Sequence, residues 1–169
     1  YYFIIMKKFK DVFKIEEVRW YLGIIAGSIL IIFINIRGIY ESMGDAMRAS
    51  AFQVASIITT TGFATADFDM WNTTTKVVLV TLMFVGACAG STGGGIKVSR
   101  FVIVGKTISK EIRSYLHPRS VKKILFEGKM ADHAMLRSVN VYFMTYILIF
   151  VISFFLISFQ NEDFTTSFT

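Results

Sequence analysis

Residues 52–68, FQVASIITTTGFATADF, lie between two hydrophobic runs long enough to cross a lipid bilayer, yet the stretch itself is too short and too rich in Thr and Gly to cross one. An apolar segment that enters a membrane and turns back must satisfy its backbone N–H and C=O groups inside protein or around a water- or ion-filled cavity, because lipid offers no hydrogen bonds. The stretch therefore reads as a re-entrant segment, a candidate pore loop.

Composition supports a membrane setting. At 54% hydrophobic residues, with 17 Phe and only 18% charged residues, the chain is too apolar for an ordinary soluble domain of 169 residues. Cys88 is the single cysteine, so neither a disulfide framework nor a cysteine metal site is available within the chain. His117 and His133 stand in a polar stretch without ligand spacing and read as solvated loop histidines. The net charge of +6 raises nucleic acid as a partner, but the basic residues gather at the flanks of apolar runs, where they report membrane topology instead. The chain opens at Tyr1 without a Met, which reads as a fragment, and nothing in it has the layout of a removable signal peptide.

In chain order, residues 1–19 form a basic amphipathic approach to the membrane, with Lys7, Lys8, Lys10, Lys14 and Arg19 among Phe9, Val12, Phe13 and Ile15. Residues 20–40 supply an outer transmembrane helix near the ~20 residues a spanning helix needs, with Trp20, Tyr21 and Tyr40 at its ends. Residues 41–72 hold a short helix of about four turns and then Thr59, Thr60, Thr61, Gly62 and Phe63. β-Branched residues resist the helix there and Gly62 permits a backbone conformation that others avoid. Residues 75–110 form a second hydrophobic span broken by Gly90, Ser91, Thr92, Gly93, Gly94 and Gly95. Glycine costs a helix roughly 1 kcal/mol per residue relative to Ala, so two half-helices, 75–89 and 96–110, are expected around an unwound segment. Residues 111–137 form a polar connection, with a small hairpin expected within 121–130; residues 138–160 form a further span, and residues 161–169 begin another polar entrance.

Nine Lys/Arg in residues 100–137 and five in residues 7–19, against Arg37, Arg48 and Lys76 around the re-entrant segment, place the basic flanks in the cytoplasm. The loop then enters from outside. The fold class expected is all-α integral membrane: outer helix, re-entrant pore helix and filter loop, broken inner helix, then a further transmembrane helix, a potassium-channel-like repeat.

FQVASIITTTGFATADF, followed by GACAGSTGGGIKVSR, HPRSV and LRSV, resembles the third repeat of the Trk/Ktr potassium-uptake superfamily, nearest to the TrkH type. The resemblance covers essentially the whole chain and rests on the ordered pair of motifs. It implies four linked repeats around one potassium pathway, of which this chain supplies the third and the first helix of the fourth. It also implies the remaining repeats of the same polypeptide as partners, a homodimer, a cytoplasmic nucleotide-binding regulatory subunit, and a multi-pass location in the bacterial inner membrane among lipid. The resemblance further implies K⁺ as the transported ion, and no organic cofactor is expected.

An extended strand can present successive carbonyls, with a Thr hydroxyl, to a dehydrated potassium ion, so Thr59, Thr60, Thr61, Gly62 and Phe63 are expected to form the filter and Thr60, Thr61 and Gly62 to hold K⁺. TTTGF is similar to the TVGYG of potassium channels, with Ala64 where a second Gly would stand. The competing reading is a plain Thr/Gly connection.

For residues 90–95 the resemblance implies an intramembrane gate, against close packing through small residues. A phosphate-binding loop is disfavoured, since Ile96 takes the place of its Lys and no strand precedes the glycines. Lys97 and Arg100 follow at the cytoplasmic half of the inner helix; both could snorkel to the interface, which is favoured for Arg100, while Lys97 stays open between snorkelling and a positive barrier that also meets a regulator. An enzyme is not expected, as no Ser/His/Asp set, carboxylate pair or metal cluster has useful spacing, and Asp67 and Asp69 suit the attraction of cations at an outer mouth. The alternative to a pore subunit is a structural membrane module that packs without an ion pathway.

Overall fold

The computed structural model describes residues 12–117, 125–126 and 129–159. Within them lie α1 (Glu16–Ile36), α2 (Met43–Ile58), a 3-10 turn (Phe68–Met70), α3 (Thr73–Phe84), α4 (Val98–Leu116), the two-residue strands β1 (Leu125–Phe126) and β2 (Lys129–Met130), and α5 (His133–Ser158). Most of the expected basic approach, the Pro118 region and the polar entrance at 161–169 lie outside the described residues. The chain divides into two compact units, residues 1–102 and 103–169, with the boundary inside α4.

In the first unit, α1 begins four residues before the expected outer helix and ends four before its expected limit. Glu16 and Glu17 occupy its first turn, where carboxylates face the positive end of the helix dipole. Its 21 residues span about 32 Å at 1.5 Å each, enough for a hydrocarbon core of about 30 Å.

Helix α2 packs against both α1 and α3, and α1 also meets α3. Ser42 caps α2 by accepting from Gly44 N at 3.1 Å. Ala46, Ala49, Ser50, Gln53, Val54 and Ile58 form one buried face at helical spacing. The small residues on it let neighbouring backbones approach closely, and the core they enter is made of Ile32 and Ile36 from α1 with Trp71, Leu79 and Leu82 from the α3 side. Asn72 caps α3, its Oδ1 accepting from Thr75 N at 3.0 Å and Thr75 Oγ1 at 2.8 Å. Its Nδ2 donates to Asn35 Oδ1 of α1 at 2.8 Å, which ties the entry of α3 to the end of the outer helix.

The inner helix is broken, but more widely than expected. Helix α3 stops at Phe84 and not at Ala89, and α4 starts at Val98 and not at Ile96. The reason is a backbone crossing: Val85 pairs with Ile96 in a parallel bridge, with Gly86 N donating to Ile96 O at 2.9 Å and Ile96 N to Phe84 O at 3.0 Å. Residues 85–97 are therefore taken out of helix together. At the far side α4 continues to Leu116, so the connection placed at 111–137 loses its first six residues to helix.

In the second unit, β1 and β2 pair antiparallel, Leu125 opposite Met130 and Phe126 opposite Lys129, inside the stretch where a hairpin was expected. Helix α5 starts at His133, five residues before the expected span, with Asp132 at its N-cap position. It is apolar on all sides and long enough to cross a bilayer. Only Val139 of its described residues is buried, and Met144 is 74% exposed. A helix apolar around its whole circumference belongs inside a larger assembly or in lipid.

Candidate functional site

The filter-like segment grows out of the way α2 ends. Thr59 N donates to Ala55 O and Thr59 Oγ1 donates to the same carbonyl at 2.6 Å. Thr60 N then reaches Ile57 O at 3.0 Å and Thr61 N reaches Ser56 O at 2.9 Å. These are the paired bonds of a Schellman helix terminus. The residue after the cap in such a terminus adopts a left-handed conformation, usually as Gly; here it is Thr60, with φ of 57°. A β-branched residue in that region carries a cost of roughly 1–2 kcal/mol. Thr60 therefore closes the helix and is not part of an extended strand, and Gly62, with φ of 79°, departs from one as well.

Three further contacts hold the segment. Thr60 Oγ1 donates to Thr59 O at 2.7 Å, Thr59 and Thr61 hydroxyls lie 2.8 Å apart, and Ser56 Oγ, from the buried face of α2, donates to Phe63 O at 2.5 Å. Gly62 has φ of 79°, and a Cβ there would meet nothing within 4 Å, so its requirement for Gly is conformational and not steric within this chain. Among the described residues, no hydrogen bond reaches the carbonyls of Thr60, Thr61 or Gly62. Thr59, Thr60, Thr61, Gly62 and Phe63 are all exposed. The C-terminal end of α2 thus leaves the Thr60, Thr61 and Gly62 carbonyl oxygens without hydrogen bonds among the described residues, next to Thr hydroxyls, a set of hard donors suited to a monovalent cation.

The glycine loop lies beside this segment. Cβ atoms built at Gly93 and Gly94 would each stand 3.7 Å from the Thr60 side chain, the ordinary contact distance. Gly86 and Gly95 are different. A Cβ at Gly86 would run into Gly94 O, and one at Gly95, where φ is 74°, would come within 3.0 Å of Gly86 N. Glycine is required where the backbone crosses itself, at residues 86 and 95, more than in the middle of the run.

Lys97 turns back over the loop. Its Nζ donates to Gly93 O at 2.6 Å, Ser91 O at 2.9 Å and Ser91 Oγ at 3.1 Å. An ammonium carries three donors, and all three are used. Arg100 is half-buried at the start of α4, its N–H donating to Lys97 O at 2.9 Å.

The family model described as TrkH, cation transport protein, matches residues 27–169. The chain belongs to the TrkH family. Among its relatives are the Trk system potassium uptake protein TrkG of Escherichia coli (strain K12), 34% identical over 99% of this chain and 35% of that protein. The Trk system potassium uptake protein TrkH of Salmonella typhimurium (strain LT2) is 31% identical over 87% of this chain and 31% of its own length. The crystal structure of the potassium transporter TrkH from Vibrio parahaemolyticus superposes with a TM-score of 0.86 at 32% identity, covering 92% of this chain and 34% of that one. This TrkH-family chain therefore spans about a third of the length of the curated relatives it matches. Its fold is the helical membrane architecture of the transporter it superposes on.

One residue of this TrkH-family chain escaped the sequence reading. Glu17 was grouped with the basic approach, yet it is only 7% exposed. Its Oε1 accepts from Ala89 N at 2.7 Å and from Ser99 N at 3.1 Å. The signal lay in the glycine run: an unwound segment leaves amides that need acceptors from another element, and Glu16 and Glu17 are the acidic residues where the apolar run begins.

Proposed function

We propose that this chain is one repeat, with the first helix of the next, of the pore-forming subunit of a potassium-uptake system. The observation that carries the proposal is the helix terminus at Thr59–Thr61, which leaves the Thr60, Thr61 and Gly62 carbonyls free of hydrogen bonds among the described residues. K⁺ is the transported ion. It exchanges its hydration shell for these oxygens, with corresponding oxygens from the other repeats completing the ring. The helix dipole adds partial negative charge at the same place. No bond is made or broken in such a passage, so the work of the site is positioning and charge compensation. Its setting is the bacterial inner membrane, which the polypeptide crosses several times, as a homodimer joined on its cytoplasmic face by a nucleotide-binding regulatory subunit.

Residues 90–95 act in this reading as the gate. The loop is unwound, lies against Thr60, and its middle glycines are free of steric demand. Its backbone can rearrange without changing the helices on either side. A regulatory subunit that acts on α4 opens it only by binding the open and closed states with different affinity. Deleting Ser91–Gly94 from the full-length protein is expected to raise basal K⁺ flux about threefold and weaken its dependence on the regulatory subunit, with the K⁺/Na⁺ flux ratio preserved. Loss of assembly, or unchanged flux and dependence, would favour the reading of the glycines as a packing surface.

Lys97 supports the closed loop by neutralising carbonyls that otherwise face the pathway without donors. Lys97→Met in the full-length protein should also raise basal K⁺ efflux from loaded vesicles, by about tenfold, because a hydrogen bond to a charged group contributes roughly 1.5–3 kcal/mol and about 1.4 kcal/mol is a factor of ten. Efflux equal to that of the native protein would return Lys97 to the role of an interface residue.

A further inference from the structure

An unwound segment between two half-helices has backbone groups of both signs to satisfy, and this one meets them with two charged side chains. Lys97 covers carbonyls in the middle of the loop. Glu17 covers amides at its two ends, Ala89 N at 2.7 Å just before the glycine run and Ser99 N at 3.1 Å in the first turn of α4. Both amides go to the same oxygen atom, and Glu17 as a residue is 7% exposed. Lys97 belongs to the unwound segment itself, whereas Glu17 belongs to α1.

We propose that Glu17 is the positioning residue of the glycine loop, a fixed point on the outer helix that holds both ends of residues 90–98 while the backbone between them rearranges. Charge-assisted bonds to backbone N–H groups are roughly twice as strong as neutral ones, and Ser99 N lies at the positive end of the α4 dipole. Movement of α4 reaches the loop through the Ser99 bond, so the strength of the Glu17 contacts sets how far α4 can move before the loop is released. The inference rests on the reading of residues 90–95 as the movable element, which is tested separately by flux.

The test is amide hydrogen exchange of the full-length protein, native and Glu17→Ala, with K⁺ flux measured on the same preparations. A local cap would free only the Ala89 and Ser99 amides. A positioning residue would free the crossing as well, so exchange at Gly86, Ser91 and Ile96, each of which donates within or across the loop, is expected to quicken about tenfold. Glu17→Gln keeps an acceptor of the same shape without the charge and should give an intermediate rise of about threefold, and it decides the matter alone if the Ala variant does not assemble. Native exchange at Gly86, Ser91 and Ile96 in the variants overturns the inference. Faster exchange with unchanged K⁺ flux keeps Glu17 as the positioning residue and removes the gate reading instead.

Discussion

Gly86→Ala is expected to be the most disruptive single methyl that can be added to the glycine loop, more so than the same change at Gly93 or Gly94. The added Cβ would collide with Gly94 O, a backbone atom that no rotamer change can move aside. Relief requires the crossing to separate, with loss of the Gly86 N to Ile96 O and Ile96 N to Phe84 O bonds. Inserting a methyl where there is no space costs typically 1–3 kcal/mol, and two backbone hydrogen bonds add roughly 1 kcal/mol each. At Gly94 the new Cβ would stand 3.7 Å from Thr60 Cγ2, an ordinary contact. Purified full-length protein carrying Gly86→Ala should therefore melt several degrees lower and show amide exchange at Ile96 quickened at least tenfold. Gly94→Ala should resemble the native protein in both measurements. Equal effects at the two positions would mean that the loop is held by the glycine run as a whole and not by the crossing.

That contrast also shows where sequence patterning runs out. The run of glycines at 93–95 is the visible feature, and it located the break in the inner helix. Which glycine is sterically required depends on a parallel pairing of Val85 with Ile96, eleven residues apart along the chain, and no local pattern announces such a contact. For the same reason the break was expected to be narrower than it is. The outer helix and the last span were legible because about twenty apolar residues leave few alternatives. Their first turns were not, because Glu16, Glu17 and His133 are polar and were assigned to the connections.

The end of α2 was legible in a different sense. Three consecutive Thr residues before Gly62 predict that the helix stops, and it does, with Thr59 at the C-cap. That the second Thr takes the left-handed conformation commonly reserved for Gly could not be read from propensity, which disfavours it. Strain of this kind persists where surrounding contacts over-determine it, and it marks functional segments more often than connections. Here the Thr60 hydroxyl bonds Thr59 O and the side chain stands beside the glycine loop. Lys97, left open between the membrane interface and a barrier, makes three bonds to Ser91 and Gly93 that sequence spacing did not announce.

The second large effect is expected at Gly62. Its φ of 79° lies where only Gly is at ease, although a Cβ would meet no atom of this chain within 4 Å. A residue with a side chain must therefore carry a strain of roughly 1–2 kcal/mol or rotate the backbone to escape it. In the proposed filter, such a rotation turns the Thr61 and Gly62 carbonyls away from the ion. Ion discrimination depends on the number and placement of those oxygens, so even a shift too small to unfold the segment changes the preference between ions. The loss should be specific to selectivity, because the Schellman bonds at Thr60 and Thr61 and the Ser56 bond to Phe63 O do not pass through the Gly62 side-chain position.

The most direct measurement is the ratio of K⁺ to Na⁺ flux through the full-length protein in vesicles, native against Gly62→Ser, with assembly verified for both. If the Thr59–Phe63 segment is the filter, the native protein prefers K⁺ and the variant loses about tenfold of that preference while still conducting, the change that about 1.4 kcal/mol of lost differential binding produces. A variant that conducts with the native ratio, or a native protein that moves neither ion, would contradict the assignment of this segment as the selective part of a potassium pathway.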